Sequence, residues 1–188
     1  MRKLFSFMHI SLDGFVAGPK GEMDWIKVDQ EIFDFVENRI SAGDTAMYGR
    51  KTFEMMEAYW PTAADQPNAS KHDRVHSKWY MNAHKIVLSK SMKSTTAKNA
   101  KIISENLVEN IKAIKQEQGP EILLFGSPTA THSLHQLNMI DGYWLFLNPV
   151  ILGTGIPLFK NIQNKTTLKL LSTHQFSNGV VELNYLNT

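Results

Sequence analysis

Five short apolar runs set the first limit on the fold: KLFSFMHI (3–10), TAMYG (45–49), HKIVLS (84–89), EILLFG (121–126) and GYWLFLNPVI (142–151). Several are nearly continuous rather than alternating, the pattern of strands covered on both faces. The segments between them supply the cover. DQEIFDFVENRI (29–40) puts Ile32, Phe33, Val36 and Ile40 on one helical face, and ENLVENIKAIKQ (105–116) does the same with Leu107, Ile111 and Ile114, while SPTATHSLHQL (127–137) leaves a glycine directly. A shorter run, AKII (100–103), and two late ones, TLKLLSTHQF (167–176) and GVVELNYL (179–186), complete the strands, the last two joined as a hairpin through SNG (177–179). Strand–helix alternation followed by a β-rich end predicts an α/β sandwich with a mainly parallel sheet and an antiparallel C-terminal hairpin. We read residues 1–188 as one domain, with PTAADQPNASKHD (61–73) a long surface loop inside it.

Composition removes whole classes of function. With 43% hydrophobic residues the chain can bury a substantial core, yet no run approaches the roughly 18 apolar residues of a membrane span. MRKLFSFMHISLDG reaches Asp13 too early for a signal peptide, so the expectation is a cytoplasmic protein without a membrane partner. The absence of cysteine excludes disulfides, thiolate metal sites and cysteine nucleophiles. The net charge of +2 is interspersed, which argues against nucleic acid and suits a small anionic ligand held by a few cations.

Ligands of such sheets bind where strand ends meet helix starts. Three turns share one design there: YGRKT (48–52), VLSKS (87–91) and LFGSPT (124–129) each leave an apolar strand and deliver small or hydroxyl residues, two of them with cations. Free N–H groups at a helix start attract phosphate, and Gly allows close approach. Taken singly, Thr52 or Ser127 reads more often as an ordinary helix cap, and it is the three turns together that point to an anion. Neither the G-x-G-x-x-G fingerprint nor a P-loop is present.

The order HISLDGFVAG (9–18), YGRKTFE (48–54), KIVLSK (85–90) and ILLFGSPTATHSLHQLNMIDGYWLFLNPVILGTGIPLF (122–159) resembles the dihydrofolate-reductase-like superfamily. Within it, the chain is most similar to the reductase domain of the riboflavin-biosynthesis deaminase-reductase and its stand-alone relatives, over almost its whole length. That resemblance implies a three-layer α/β/α domain, NADPH as cofactor, hydride transfer to a small aminopyrimidine or pterin-like substrate, and a homodimer. It places Arg50, Lys51 and Thr52 at the cofactor phosphates, Leu88, Ser89 and Lys90 beside the adenine ribose and 2′-phosphate, and Gly126, Ser127 and Thr129 under the pyrophosphate. Arg50 would then favour NADPH, because a guanidinium offers bidentate donors to the extra phosphate. Ile10, Asp13, Gly14 and Ala17 would line the nicotinamide. The chain departs from the pattern at Gly126-Ser127-Pro128, where the family often has consecutive glycines, and at Asp141-Gly142, where it often has an acidic pair. No deaminase signature is present.

A hydride reductase often needs an acid for the accompanying proton. The position after Trp25 that holds a carboxylate in dihydrofolate reductases falls near Gln30 here. Two candidates remain: Asp29, which is either the cap of the first helix or an inward carboxylate, and Asp13, which is either catalytic or a turn-forming Asp-Gly. Trp25, Tyr59 and Trp60 could stack on a planar substrate, and Gly153 and Gly155 either approach the ligand or shape a bulge. His72 and His76 have metal-like spacing but no third ligand can be named beside them, so no metal is expected. His132 and His135 read as satisfied histidines. Two rival readings stay open beside the reductase: a nucleotide-binding module without catalysis, and a dimerising scaffold that binds nothing.

Overall fold

The computed structural model describes all of residues 1–188. Its strands are β1 (Leu4–Ser11), β2 (Phe15–Ala17), β3 (Thr45–Gly49), β4 (His84–Leu88), β5 (Ala100–Ile103), β6 (Ile122–Phe125), β7 (Gly142–Asn148), β8 (Ile156–Pro157), β9 (Leu168–Gln175) and β10 (Val181–Asn187). The helices are α1 (Gln30–Ile40), α2 (Arg50–Ala63), α3 (Lys71–Asn82), α4 (Leu107–Gln116) and α5 (Pro128–Gln136). None is long and apolar enough to cross a membrane.

Eight strands form one sheet in the order β5-β4-β3-β6-β1-β7-β10-β9. The first six run parallel, and β10 and β9 add an antiparallel edge as the predicted hairpin. Strand β7 stops at Asn148 because Pro149 has no N–H to continue the ladder. Alternation along β1 explains the layers. Leu4, Met8 and Ile10 pack into a cluster with Ile111, Ile114 and Leu134 of α4 and α5, whereas Phe5 and Phe7 pack with Ile32, Val36, Phe53 and Tyr80 of α1, α2 and α3. The result is the expected α/β/α sandwich, with five helices divided between the two faces.

One segment differs from the sequence reading. The loop is shorter than read, spanning residues 64–70: α2 continues through Pro61 to Ala63, and α3 begins at Lys71. Pro61 sits in the last turn of α2, where the helix has little left to lose by a kink. Ser70 then starts α3 with a capping box, its hydroxyl accepting from Asp73 N–H while the Asp73 carboxylate accepts from Ser70 N–H.

Candidate functional site

The sheet changes direction between β3 and β6. These strands are neighbours, yet α2 leaves β3 for one face and α5 leaves β6 for the other, which opens a crevice at their carboxyl ends. The Gly49 backbone N–H donates to the Ser127 hydroxyl at 2.8 Å across it, and that hydroxyl donates to Phe125 carbonyl at 3.0 Å. Gly49 keeps this approach close, since an added Cβ would stand a tight 3.3 Å from Ser127 Cβ and 3.5 Å from Ala130 Cβ. Thr52 lies beside Gly126, where an added Cβ would be 3.5 Å from its methyl group. The two turns therefore form one unit.

Both helices start without a side-chain cap. Gly49 cannot supply one, and Ser127 makes none because its hydroxyl is spent on the crevice. Thr52 is inside the first turn of α2 rather than at its cap. Ser127 also holds φ 61 and ψ 62, directly after Gly126 at φ 52, so two successive left-handed residues bend the backbone before α5. Concave backbone of this kind beside uncapped helix starts is suited to an anion.

The remaining predicted cofactor residues sit on the same sheet edge. Leu88 pairs in register with Gly49, which brings Ser89 and Lys90 alongside. Ser89 turns its hydroxyl onto the backbone N–H groups of Ser91 and Met92. Lys90 and Lys51 are exposed cations. Arg50 is already engaged, with its guanidinium 2.9 Å from the Glu54 carboxylate one turn along α2. Thr129 occupies the first turn of α5.

A second group forms the wall beyond β1. Ile10 is buried at the end of that strand, and Ala17 pairs with Ile156 in the small β2–β8 ribbon. Gly155 fits there only without a side chain, because an added Cβ would strike the Ala17 carbonyl. Asp13 accepts from Ser11 hydroxyl at 2.6 Å, from Leu152 N–H at 3.1 Å and from Gly153 N–H at 2.7 Å. These bonds, the Ser11 hydroxyl first, hold its carboxyl below the ordinary range. Asp13 thus clasps the loop at 152–153 to the end of β1.

Asp29 caps α1. Its carboxylate accepts from Ile32 N–H at 3.0 Å and from the Asn178 amide at 2.7 Å, which ties the helix start to the β9–β10 turn. Trp25 is half-buried and donates its indole N–H to Glu22 carbonyl at 3.1 Å. Gln30 is exposed and bonds Asp34. His132 meets the Pro157 and Leu158 carbonyls, and His135 meets Tyr143, so both histidines have partners.

Two residues of the edge escaped the sequence reading. Asn148 ends β7, is fully buried, donates to Phe146 carbonyl at 3.0 Å and accepts from Lys27 N–H at 2.8 Å, drawing the loop before α1 over the strand ends. His9 lies 3.4 Å from it on β1, and burial pushes its imidazole down to about 4. The Asn-Pro step at 148–149 was the available signal for the first. The second needed the sheet.

Known proteins bear out the family expected from the motifs. An uncharacterised Bacillus subtilis (strain 168) protein, YyaP, is 34% identical, the match covering 98% of this chain and 94% of that one. A putative riboflavin biosynthesis protein from Shewanella sp. PV-4 superposes with a TM-score of 0.73 at 19% identity, covering 100% of this chain and 99% of that one. Enterococcus faecalis dihydrofolate reductase, in a complex with NADP(H) and RAB-propyl, superposes with a TM-score of 0.64 at 17% identity, covering 99% of this chain and 96% of that one. The overall fold is thus shared with these structures, and the RibD C-terminal domain model matches residues 2–182: the chain belongs to the RibD C-terminal domain family.

Proposed function

We propose that the protein is an NADPH-dependent reductase of a small heterocycle, its chemistry resembling that of 5-amino-6-(5-phosphoribosylamino)uracil reductase. The observation that carries this reading is the Gly49–Ser127 hydrogen bond, which joins two uncapped helix starts at the switch point of the sheet. A dinucleotide's phosphates would suit such a crevice: the free N–H groups at the starts of α2 and α5 favour their negative charge, and Gly126 and Gly49 leave room for them. Bound there, the nicotinamide cofactor would supply a hydride. Arg50 and Lys51 stand at the start of α2 to receive a 2′-phosphate, with Lys90 across the adjoining strand end. Ile10 and Ala17 would press against the nicotinamide, and Trp25 against the substrate, while Asp13 holds Gly153 and its loop closed behind them.

The proton is the harder half. Asp13 and Asp29 both have their oxygens committed to hydrogen bonds, so neither is free to act as an acid without loosening a loop or a helix cap. That observation favours the second reading, a nucleotide-binding module without turnover. Titration with NADPH and NADH, followed by tryptophan fluorescence, tests the shared premise, and failure to bind at sub-millimolar concentration overturns both. Loss of NADPH absorbance with 5-amino-6-(5-phosphoribosylamino)uracil or dihydrofolate then separates enzyme from module.

A further inference from the structure

Two pairs of residues face each other between α1 and α3, each spaced one helical turn. Phe33 and Glu37 come from α1, and His72 and His76 from α3. The Phe33 ring stacks on His72 with centroids 3.9 Å apart and planes within 6°. One turn on, the Glu37 carboxylate points at His76, with Oε2 3.6 Å from Nδ1. Trp60 closes the group from α2, its ring 5.5 Å from His72 and 4.2 Å from His76, and Trp79 covers His76 at 5.1 Å. No residue of the strand-end turns takes part.

The polar atoms at the centre have no protein partner. Both Glu37 oxygens and His76 Nδ1 are shielded from solvent and make no hydrogen bond, although His76 is only 6% exposed. Buried polar atoms are nearly always paired, and a buried carboxylate with nothing to accept from is costly. One candidate ligand atom from each of Glu37, His72 and His76 lies within 4.8 Å of the other two. A tetrahedral ion with bonds of about 2.1 Å sets its ligands about 3.4 Å apart. Side-chain rotations that draw the atoms together by up to about 1.4 Å close the difference. We propose that Glu37, His72 and His76 bind a divalent transition-metal ion of the zinc class, fastening α1 to α3. Two imidazoles and one carboxylate leave a fourth position, which opens on a cavity of about 170 Å³ lined by His72, Gln30, Asp34 and Lys71. The donors suit zinc, nickel or copper better than magnesium or calcium, which prefer oxygen alone. The surrounding rings, Phe33 against His72 and Trp60 and Trp79 against His76, confine both imidazoles to small rotations.

The test uses the full chain after dialysis against a chelator. Calorimetric titration with Zn²⁺ is expected to give one site at micromolar affinity or tighter and to raise the melting temperature. Co²⁺ should give visible absorption of a tetrahedral nitrogen–oxygen site, and Cu²⁺ should quench the fluorescence of the neighbouring Trp60. Glu37→Gln and His72→Gln, at the partly exposed rim, should each weaken Zn²⁺ on the order of 100-fold and abolish the cobalt spectrum. The cobalt and copper readings need no variant, so a misfolded substitution leaves the proposal open to refutation. Failure of the unmodified protein to bind one Zn²⁺ at about 100-fold above micromolar concentration overturns it. So does binding that survives unchanged in both variants, which would place the ion on other histidines.

Discussion

The Gly49 N–H donates to Ser127 Oγ at 2.8 Å, and through that one bond two turns 78 residues apart in sequence become a single crevice. Ser127 therefore carries two opposing effects. Its hydroxyl satisfies the Gly49 amide, but its left-handed backbone costs an L-residue about 1 kcal/mol. Ser127→Ala is expected to keep the strain, lose the bond and destabilise by about 1–2 kcal/mol, whereas Ser127→Gly recovers part of that loss. Urea unfolding of the three proteins checks the order, and NADPH titration should weaken in both variants.

Arg50 is held by Glu54, yet both side chains are substantially exposed, so the pair adds little to stability. Removing Glu54 should free the guanidinium for a ligand. Glu54→Gln is expected to tighten NADPH a few-fold without changing NADH, and Arg50→Ala to weaken NADPH about 10-fold more than NADH, the worth of one charge-assisted hydrogen bond. Equal effects on the two nucleotides would remove Arg50 from the 2′-phosphate.

Asp13 clasps Gly153 and Leu152, and its carboxyl is held below the ordinary range, chiefly by the Ser11 hydroxyl. A depressed folded value stabilises above the ordinary carboxylate range and is lost only as pH falls through the folded value. Hydrogen exchange at the 152 and 153 amides should therefore stay protected from neutral pH down to the ordinary carboxylate range. Asp13→Ala should remove that protection at neutral pH while leaving the core amides slow.

His9 sets a different pH window. Its folded value, near 4, lies below the ordinary 6.5, so the unfolded chain binds a proton that the native state refuses. Stability should be full above about 6.5, fall as pH drops towards 4, and level off below, a loss on the order of 1–3 kcal/mol. His9→Gln should flatten that part of the profile in urea midpoints measured between those limits.

The elements were largely legible in the sequence because their signals are local. β3 and β5 lie where TAMYG and AKII were read, α1 and α4 follow the apolar faces read for them, and α5 falls within SPTATHSLHQL. Helix α3 was not, since its stripe is broken by Lys71, Arg74 and Lys78 and its strongest mark, the Ser70–Asp73 capping box, lay inside a stretch read as loop. At the site, motif order named the turns but not their bonding. Nothing in the string AMYGRKTFE says that Gly49 will lend its amide to Ser127, or that Arg50 will already face Glu54. Asp29 illustrates the same limit: a cap was one of the two readings open to it beside a catalytic carboxylate, and its second bond, to Asn178, depends on where the β9–β10 hairpin lands.

The sequence by itself determined the kind of fold and the family, because apolar period, turn chemistry and the order of four motifs are properties of neighbouring residues. Only the tertiary structure decided which residues meet. Strand order placed β6 between β3 and β1 and so made the crevice. Packing of α1 on α3 brought Glu37 to His72 and His76, supplying the third ligand that spacing along α3 could not show. The physical reason is one of range: propensity acts over a few residues, whereas burial of a sheet between two helical layers fixes contacts among residues far apart in the chain.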